Sequence, residues 1–230
     1  MKDRVIINVS TGKYVNGASR LKSTLSGYFD GDVLLFTDEN QINSPTHQEN
    51  PYAFKTFAFQ HAINLGYKKI LWLDASIYAI KDITPVWDII ERDGYIMQDA
   101  GWNCGQWSND KSLEYFGLTR DEAMLMPMYG NAGLLGLDLD KELPKIFLER
   151  WHKASEDGIF KGAWNNDKKT ESDDIRCLGH RHDMSVGSII ANLLGMNLNY
   201  ISSSEIMQYA SAPFEIALND SICLKAYGIS

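Results

Sequence analysis

Asp74 and Ser76 are the residues of this chain whose setting is best suited to chemistry. They stand in the tetrad Leu73-Asp74-Ala75-Ser76, at the end of the apolar run Ile70-Leu71-Trp72-Leu73. A carboxylate leaving the C-terminal end of a buried strand is where an open α/β sheet binds its ligand. Residues two apart on an extended backbone point the same way, so this Asp-x-Asp-like step offers oxygen ligands to a hard divalent cation and its phosphates. Ser76 stands where a second acid would bind such a cation more strongly. The plainer reading of Asp74 is a turn or capping residue.

Two later elements carry residues of similar use. Asn131-Ala132-Gly133 pairs a side-chain amide with a glycine that lets backbone approach closely, though in isolation it reads better as a plain turn. His180-Arg181-His182-Asp183 gathers two imidazoles, a guanidinium and a carboxylate. His180 and His182 share a face only if extended; they are a candidate ligand pair or ordinary surface and capping histidines. Asp183 is also well placed to cap a helix beginning at Met184.

The elements that must position these residues follow from periodicity. Val5 to Val9 reads as a buried strand closed by Ser10-Thr11-Gly12, followed by a helix on Ala18, Leu21, Leu25 and Tyr28. Val33 to Phe36 makes the next strand, ended by Thr37-Asp38. Asn50-Pro51 predicts a helix start, with Asn50 as cap, a face of Phe54, Phe57, Ala58, His61, Ala62 and Leu65, and a stop at Gly66. Lys69 to Leu73 is the strand that delivers Asp74, and Leu65 and Leu71 belong to the core. Beyond it, Tyr95 to Met97 and Gly133 to Leu139 read as strands, Lys111 to Met126 as one or two short helices, and Leu143 to Ala154 as a helix. Asp157 to Arg176 is polar and aperiodic, the pattern of a functional lid or a disordered segment. Val186, Ile189, Ile190, Leu193 and Leu194 mark a last helix, and Asn197 to Ile201 a last strand. Strands alternating with helices predict an α/β fold with a mostly parallel central sheet flanked by helices.

Composition narrows the classes. The 230 residues are 44% hydrophobic and 23% charged, enough for one sizeable core. A net charge of -8 disfavours a chain-wide footprint for nucleic acid, though a local basic groove stays compatible with it. Cys104, Cys177 and Cys223 are widely spaced, with no Cys-x-x-Cys pair, so neither a disulfide framework nor a cysteine zinc site is expected. No apolar run is long enough for a membrane span, and no signal-peptide core follows Met1-Lys2-Asp3-Arg4; a soluble cytoplasmic domain is the expectation. Walker, Gly-x-Ser-x-Gly and His-Glu-x-x-His motifs are absent.

In their order, Leu73-Asp74-Ala75-Ser76, Tyr129-Gly130-Asn131-Ala132-Gly133-Leu134-Leu135 and Asp183-Met184 resemble glycosyltransferases of the GT-A fold, particularly the glycogenin-like and galactosyltransferase-like retaining families. The stretch Tyr52-Ala53-Phe54-Lys55 resembles the segment leading into those families' metal strand. The resemblance runs from about Val5 to Asn197. It implies a single Rossmann-like GT-A domain over 1–230, about 1–100 forming the nucleotide-binding half and about 101–230 the sugar and acceptor half. It also implies a nucleoside-diphosphate sugar as donor, a glycan or other acceptor, and Mn2+ or Mg2+ held by Asp74 and Ser76. Three departures stand out: Ser76 replaces an acid, Met184 replaces the usual Gln, and the late His-rich metal element is missing, a role His180 or His182 would have to fill.

Such a reaction must neutralise the leaving diphosphate, which a divalent ion, Lys55 or Arg181 would do. Asn131 would hydrogen-bond sugar hydroxyls and Gly133 would let backbone approach the sugar. Asp183 would stabilise positive charge at the anomeric centre, act as nucleophile, or serve as the acceptor's base. By topology, Asn8, Ser10, Thr11, Tyr14 and Asp38 are candidate base and ribose contacts. Trp102, Trp107 and Trp164 are candidate acceptor contacts or simply part-buried indoles. The competing readings are a nucleotidyltransferase, for which Ser10-Thr11-Gly12-Lys13 has too few glycines, and a degenerate nucleotide- or sugar-binding module. A modified nucleic-acid base is a further acceptor, disfavoured by the acidic charge.

Overall fold

The structure, a computed structural model, describes residues 3–197, 206–209 and 222–226. It opens with strand β1 (Arg4–Val9), helix α1 (Val15–Leu25) and strand β2 (Asp32–Phe36), the expected β-α-β unit. Helix α2 (Phe54–Asn64) leads into β3 (Lys69–Leu73), followed by β4 (Ile77–Ala79), α3 (Thr84–Asp93) and β5 (Tyr95–Asn103). Three short helices, α4 (Cys104–Trp107), α5 (Asp110–Tyr115) and α6 (Arg120–Met124), precede the long strand β6 (Pro127–Asp138). Then come α7 (Glu142–Glu156), α8 (Asp183–Leu193), β7 (Met207–Tyr209) and β8 (Leu224–Ala226).

The main sheet has five strands in the order β2-β1-β3-β6-β5. β1 is parallel to β2 and β3, while β6 runs antiparallel to both β3 and β5. One strand therefore opposes the other four, and the fold is α/β with a mostly parallel sheet. Helices cover both faces, which is why β1 and β3 are continuously apolar rather than alternating. Val5, Ile7, Ile70 and Trp72 enter one core with α2, α7 and α8. Ile6, Leu71 and Leu73 enter a second core with α1 and α3. Helix α8 lies so close to β6 that a Cβ at Gly187 would stand 2.2 Å from the Tyr129 hydroxyl.

Several expectations are corrected. Residues 50–53 form turns, and α2 begins only at Phe54 because Tyr52 takes a left-handed backbone with φ 60. Asn50 caps nothing there; its Nδ2 donates to the Ser155 carbonyl at 2.7 Å, tying this turn to α7. Leu65 is not core but 52% exposed, since it sits at the C-cap where the helix face ends. The polar stretch after α7 has no helix or strand, yet it is fastened rather than open. Asn166 accepts from the Glu171 and Ser172 backbone N–H groups, and Asn109 donates to Glu171 at 2.9 Å. A second, three-stranded sheet, β4-β8-β7, was not expected from the sequence and packs its apolar side into the second core. Of the predicted strand Asn197 to Ile201, all but Asn197 lies outside the described residues. Among the described residues, no helix is long and apolar enough to cross a membrane.

Candidate active site

The C-terminal ends of β1 and β3 open onto a cavity of about 540 Å³. Ser10, Thr11, Lys13 and Tyr14 form one wall, on the short 3-10 turn Gly12–Tyr14 that links β1 to α1. Tyr52, Lys55, Trp72, Asp74 and Ser76 form the other, with His47 at the side. Of the candidate base and ribose contacts, Ser10, Thr11 and Tyr14 reach this space. Asn8 does not: it is fully buried, its Nδ2 donates to the Leu73 carbonyl at 2.7 Å, and its Oδ1 accepts from Ser10 at 2.5 Å. Its work is to hold the end of β1 against the end of β3. Asp38 is likewise occupied, accepting from the Asn40 N–H at 2.8 Å as the cap of a 3-10 turn.

Lys55 and Asp74 line the cavity, and a third charged side chain, Asp183, meets Lys55 from behind. The Lys55 ammonium lies 3.0 Å from Asp183 Oδ2 and 3.7 Å from Asp74 Oδ1. Lys55 and Asp183 are each only 3% exposed, whereas Asp74 keeps one edge in the cavity. Trp72 fixes that carboxylate by donating its indole N–H to Asp74 Oδ1 at 2.7 Å. The Lys55 ammonium also faces the rings of Tyr52 and Trp72, each 5.3 Å from its centroid. Burial disfavours the ammonium, but Asp183 and then Asp74 outweigh it, so the Lys55 pKa rises above its ordinary value. Burial is the main influence on Asp183 and pushes its pKa up, while Lys55 pulls the other way and Asp74 adds to the rise. The contact between Lys55 and Asp183 is ionic: Asp183 Oδ2 makes no well-aligned hydrogen bond.

Asp183 is the first residue of α8, and no side chain caps that helix. Its backbone carbonyl accepts from the Trp151 indole at 3.0 Å and from the Tyr129 hydroxyl at 3.4 Å, anchoring the helix start to α7 and β6. His182, just before it, has φ 52 and ψ -119, a strained backbone for a residue with a Cβ. Its ring lies 5.4 Å from that of Tyr52, the other strained residue of the site. Gly133 stands beside Asp74, its carbonyl accepting the Asp74 N–H at 2.9 Å. Asn131 lies on β6 two residues away, with its side chain outside the described residues.

The predicted histidine ligands are engaged elsewhere. His180 Nδ1 accepts the Asn109 N–H at 3.4 Å, so its Nε2 carries the proton and donates to the Ile159 carbonyl at 3.2 Å. Both nitrogens are taken, and burial pushes its pKa down to about 3. His182 donates Nδ1–H to the Phe160 carbonyl at 2.9 Å, and burial lowers its pKa too. Together the two rings fasten this segment to residues 159–160. Arg181 does not line the cavity either. Its guanidinium is held between the rings of Trp107 and Trp164, 3.7 and 3.9 Å from their centroids, and donates to the Trp164 carbonyl.

A divalent cation does not fit this donor set. Asp74 Oδ1 already accepts from Trp72 and faces Lys55, Ser76 offers no charge, and His180 has no lone pair left. Among the described residues, no group of three His, Cys, Asp or Glu side chains is placed to hold a metal ion. Sequence reasoning missed Tyr52, Trp72 and His47. Tyr52 and Trp72 stood beside residues already chosen, but only the fold turns them toward Lys55.

No family model and no curated protein matches the chain. Solved structures do. Mouse xyloside xylosyltransferase 1 in its apo form is 12% identical, with a TM-score of 0.56 over 97% of both chains. A glycosyltransferase involved in glycosylation of the major capsid of PBCV-1 is 14% identical, with a TM-score of 0.52 over 97% of this chain and 91% of that one. The bifunctional glycosyltransferase WbbM, also apo, is 10% identical, with a TM-score of 0.51 over 90% of this chain and 40% of that one. At these identities the likeness establishes the fold.

Proposed function

We propose that the protein, which shares the fold of these glycosyltransferases, is itself one, moving a sugar from a nucleoside-diphosphate sugar to an acceptor glycan. The observation that carries this reading is that Lys55 and Asp74 line one cavity at the C-terminal edge of the sheet, with Asp183 paired to Lys55 directly behind it. The cavity's size suits a nucleotide-sized ligand. Ser10, Thr11 and Tyr14 would take the nucleoside, so residues 1–100 supply most of the donor site and residues 101–230 the sugar and acceptor side.

In the reaction, the bond from the anomeric carbon to the diphosphate oxygen breaks and the nucleoside diphosphate leaves with its electron pair. A new bond forms to the acceptor hydroxyl oxygen, which gives up its proton. Lys55 at the floor and Lys13 at the rim are the cations that would meet the diphosphate. Asp183 would face the developing positive charge on the sugar, as electrostatic partner, nucleophile or base. Asn131 and Gly133 would contact the sugar from β6. No step is assigned to a metal, because the donor set does not suit one.

The test is a thermal-shift screen of UDP, GDP, CDP and ADP, followed by an assay of nucleotide release from the matching sugars. A specific nucleotide at a hundred times its Kd should add about 2.7 kcal/mol of stability. Release of that nucleotide on addition of an acceptor completes the case. If no nucleotide shifts the midpoint, the reading fails; a shift without turnover marks a binding module.

A further inference from the structure

A ladder of rings leads from the floor of the cavity to the surface. The Lys55 ammonium faces Tyr52, and Tyr52 meets His182 at a centroid distance of 5.4 Å. His182 in turn meets Trp164 at 5.8 Å. Trp164 covers one face of the Arg181 guanidinium, Trp107 covers the other, and Trp102 leans on Trp107 at 5.3 Å. At the outer end the indoles emerge: Trp164 is 52% exposed and Trp102 is 44% exposed. These are the two exposed indoles among the described residues, and an indole joins a broad apolar ring to a polar N–H, the combination that enriches Trp at binding surfaces.

The inner rungs are built at a cost. Tyr52 and His182 hold left-handed backbone conformations that residues with a Cβ avoid, and these two strained residues contact each other. Arg181 has one unpartnered buried atom, Nε, although the residue as a whole is 7% exposed. Its guanidinium nevertheless fixes the Trp164 loop twice, through the ring face and through the Trp164 carbonyl. Gly179 lets the segment before α8 and the Trp164 loop meet, since a Cβ there would lie 2.0 Å from the Trp164 carbonyl oxygen. The outer indole is thus held rigidly before any ligand arrives, which lowers the ordering cost of binding.

We infer that the solvent-exposed parts of Trp164 and Trp102 form the acceptor subsite, a stacking platform for the pyranose rings of a neutral oligosaccharide. This rests on the glycosyltransferase reading and names the substrate class of that site. The apolar face of a pyranose, presenting axial C–H groups, matches the electron-rich face of an indole. Successive contacts of Lys55, Tyr52, His182 and Trp164 connect the cavity to this surface. Arg181 is a positioning residue in this scheme: it braces Trp164 and takes no part in bond making.

The probes are cellotetraose, maltotetraose, xylotetraose and chitotetraose, titrated against the intact chain while intrinsic tryptophan fluorescence is read. At least one should perturb the fluorescence saturably. Trp164→Ala should weaken that binding tenfold or more, Trp164→Tyr should restore most of it, and Arg181→Lys should weaken it without moving the midpoint of nucleotide-induced stabilisation. Wild-type affinity in Trp164→Ala, or no response to any of the four sugars, overturns the platform. A nucleotide shift that persists in that case leaves the transferase reading standing, whereas loss of the nucleotide shift in the wild type removes the reading beneath both.

Discussion

Asp183 at the start of α8 lies 3.0 Å from the ammonium of Lys55 on α2, and both side chains are shielded from water. This pair puts Asp183 behind the cavity-lining Lys55 and joins the late part of the chain to its first half. Asp74, 3.7 Å from the same ammonium, completes a site with two carboxylates and one resident cation.

Breaking the pair on one side should be expensive. Lys55→Met leaves Asp183 buried without its counter-charge, and about 3–5 kcal/mol of stability should be lost. Adding Asp183→Asn to that variant should recover a large part of the loss, because no uncompensated charge then remains. Urea unfolding of the two single variants and the double variant measures the coupling.

Asp183→Asn alone keeps the shape and removes the charge. Nucleotide-induced stabilisation should stay within about twofold in affinity while turnover falls by roughly a hundredfold or more. Turnover at the wild-type level would return Asp183 to a purely structural role at the helix start.

Ser76→Asp should supply the hard anionic ligand that the tetrad lacks. Mn2+ should then tighten nucleoside diphosphate binding by at least about tenfold more than it does in the wild type, read by calorimetry with and without EDTA. Equal metal response in the two proteins would show that Asp74 and residue 76 do not face a common ion.

His180 should make the fold acid-sensitive. Its pKa in the folded chain is pushed down to about 3, so between the unfolded value and that point only the unfolded chain takes up a proton. The stability it contributes is complete above pH ~6.5 and is lost as the pH falls toward about 3. The thermal midpoint should therefore drop between pH 6.5 and pH 4 less steeply in His180→Gln than in the wild type. Parallel slopes would mean that other groups govern the acid response.

Much of the frame was readable from local pattern. β1 and β3 announced themselves as continuous apolar runs because both of their faces are covered, and Asp74 followed from where such a strand must end. Asn50-Pro51 misled because a cap signal is local, whereas Tyr52 is bent into a left-handed conformation by its place against His182 and Lys55. Leu65 misled because helical spacing continues one residue past the point where the core ends.

The order of types along the chain was enough to determine the alternating strands and helices, the acidic end of β3 and the later Asn-x-Gly and His-Arg-His-Asp elements. It could not say which way those side chains turn. Packing decided that Asp183 meets Lys55, that His180 and His182 bind carbonyls rather than a metal, and that Arg181 lies between two indoles. The reason is that hydrophobic periodicity is written within a few neighbouring residues, while the partner of a buried charge is chosen by whatever distant segment must satisfy it once water is excluded.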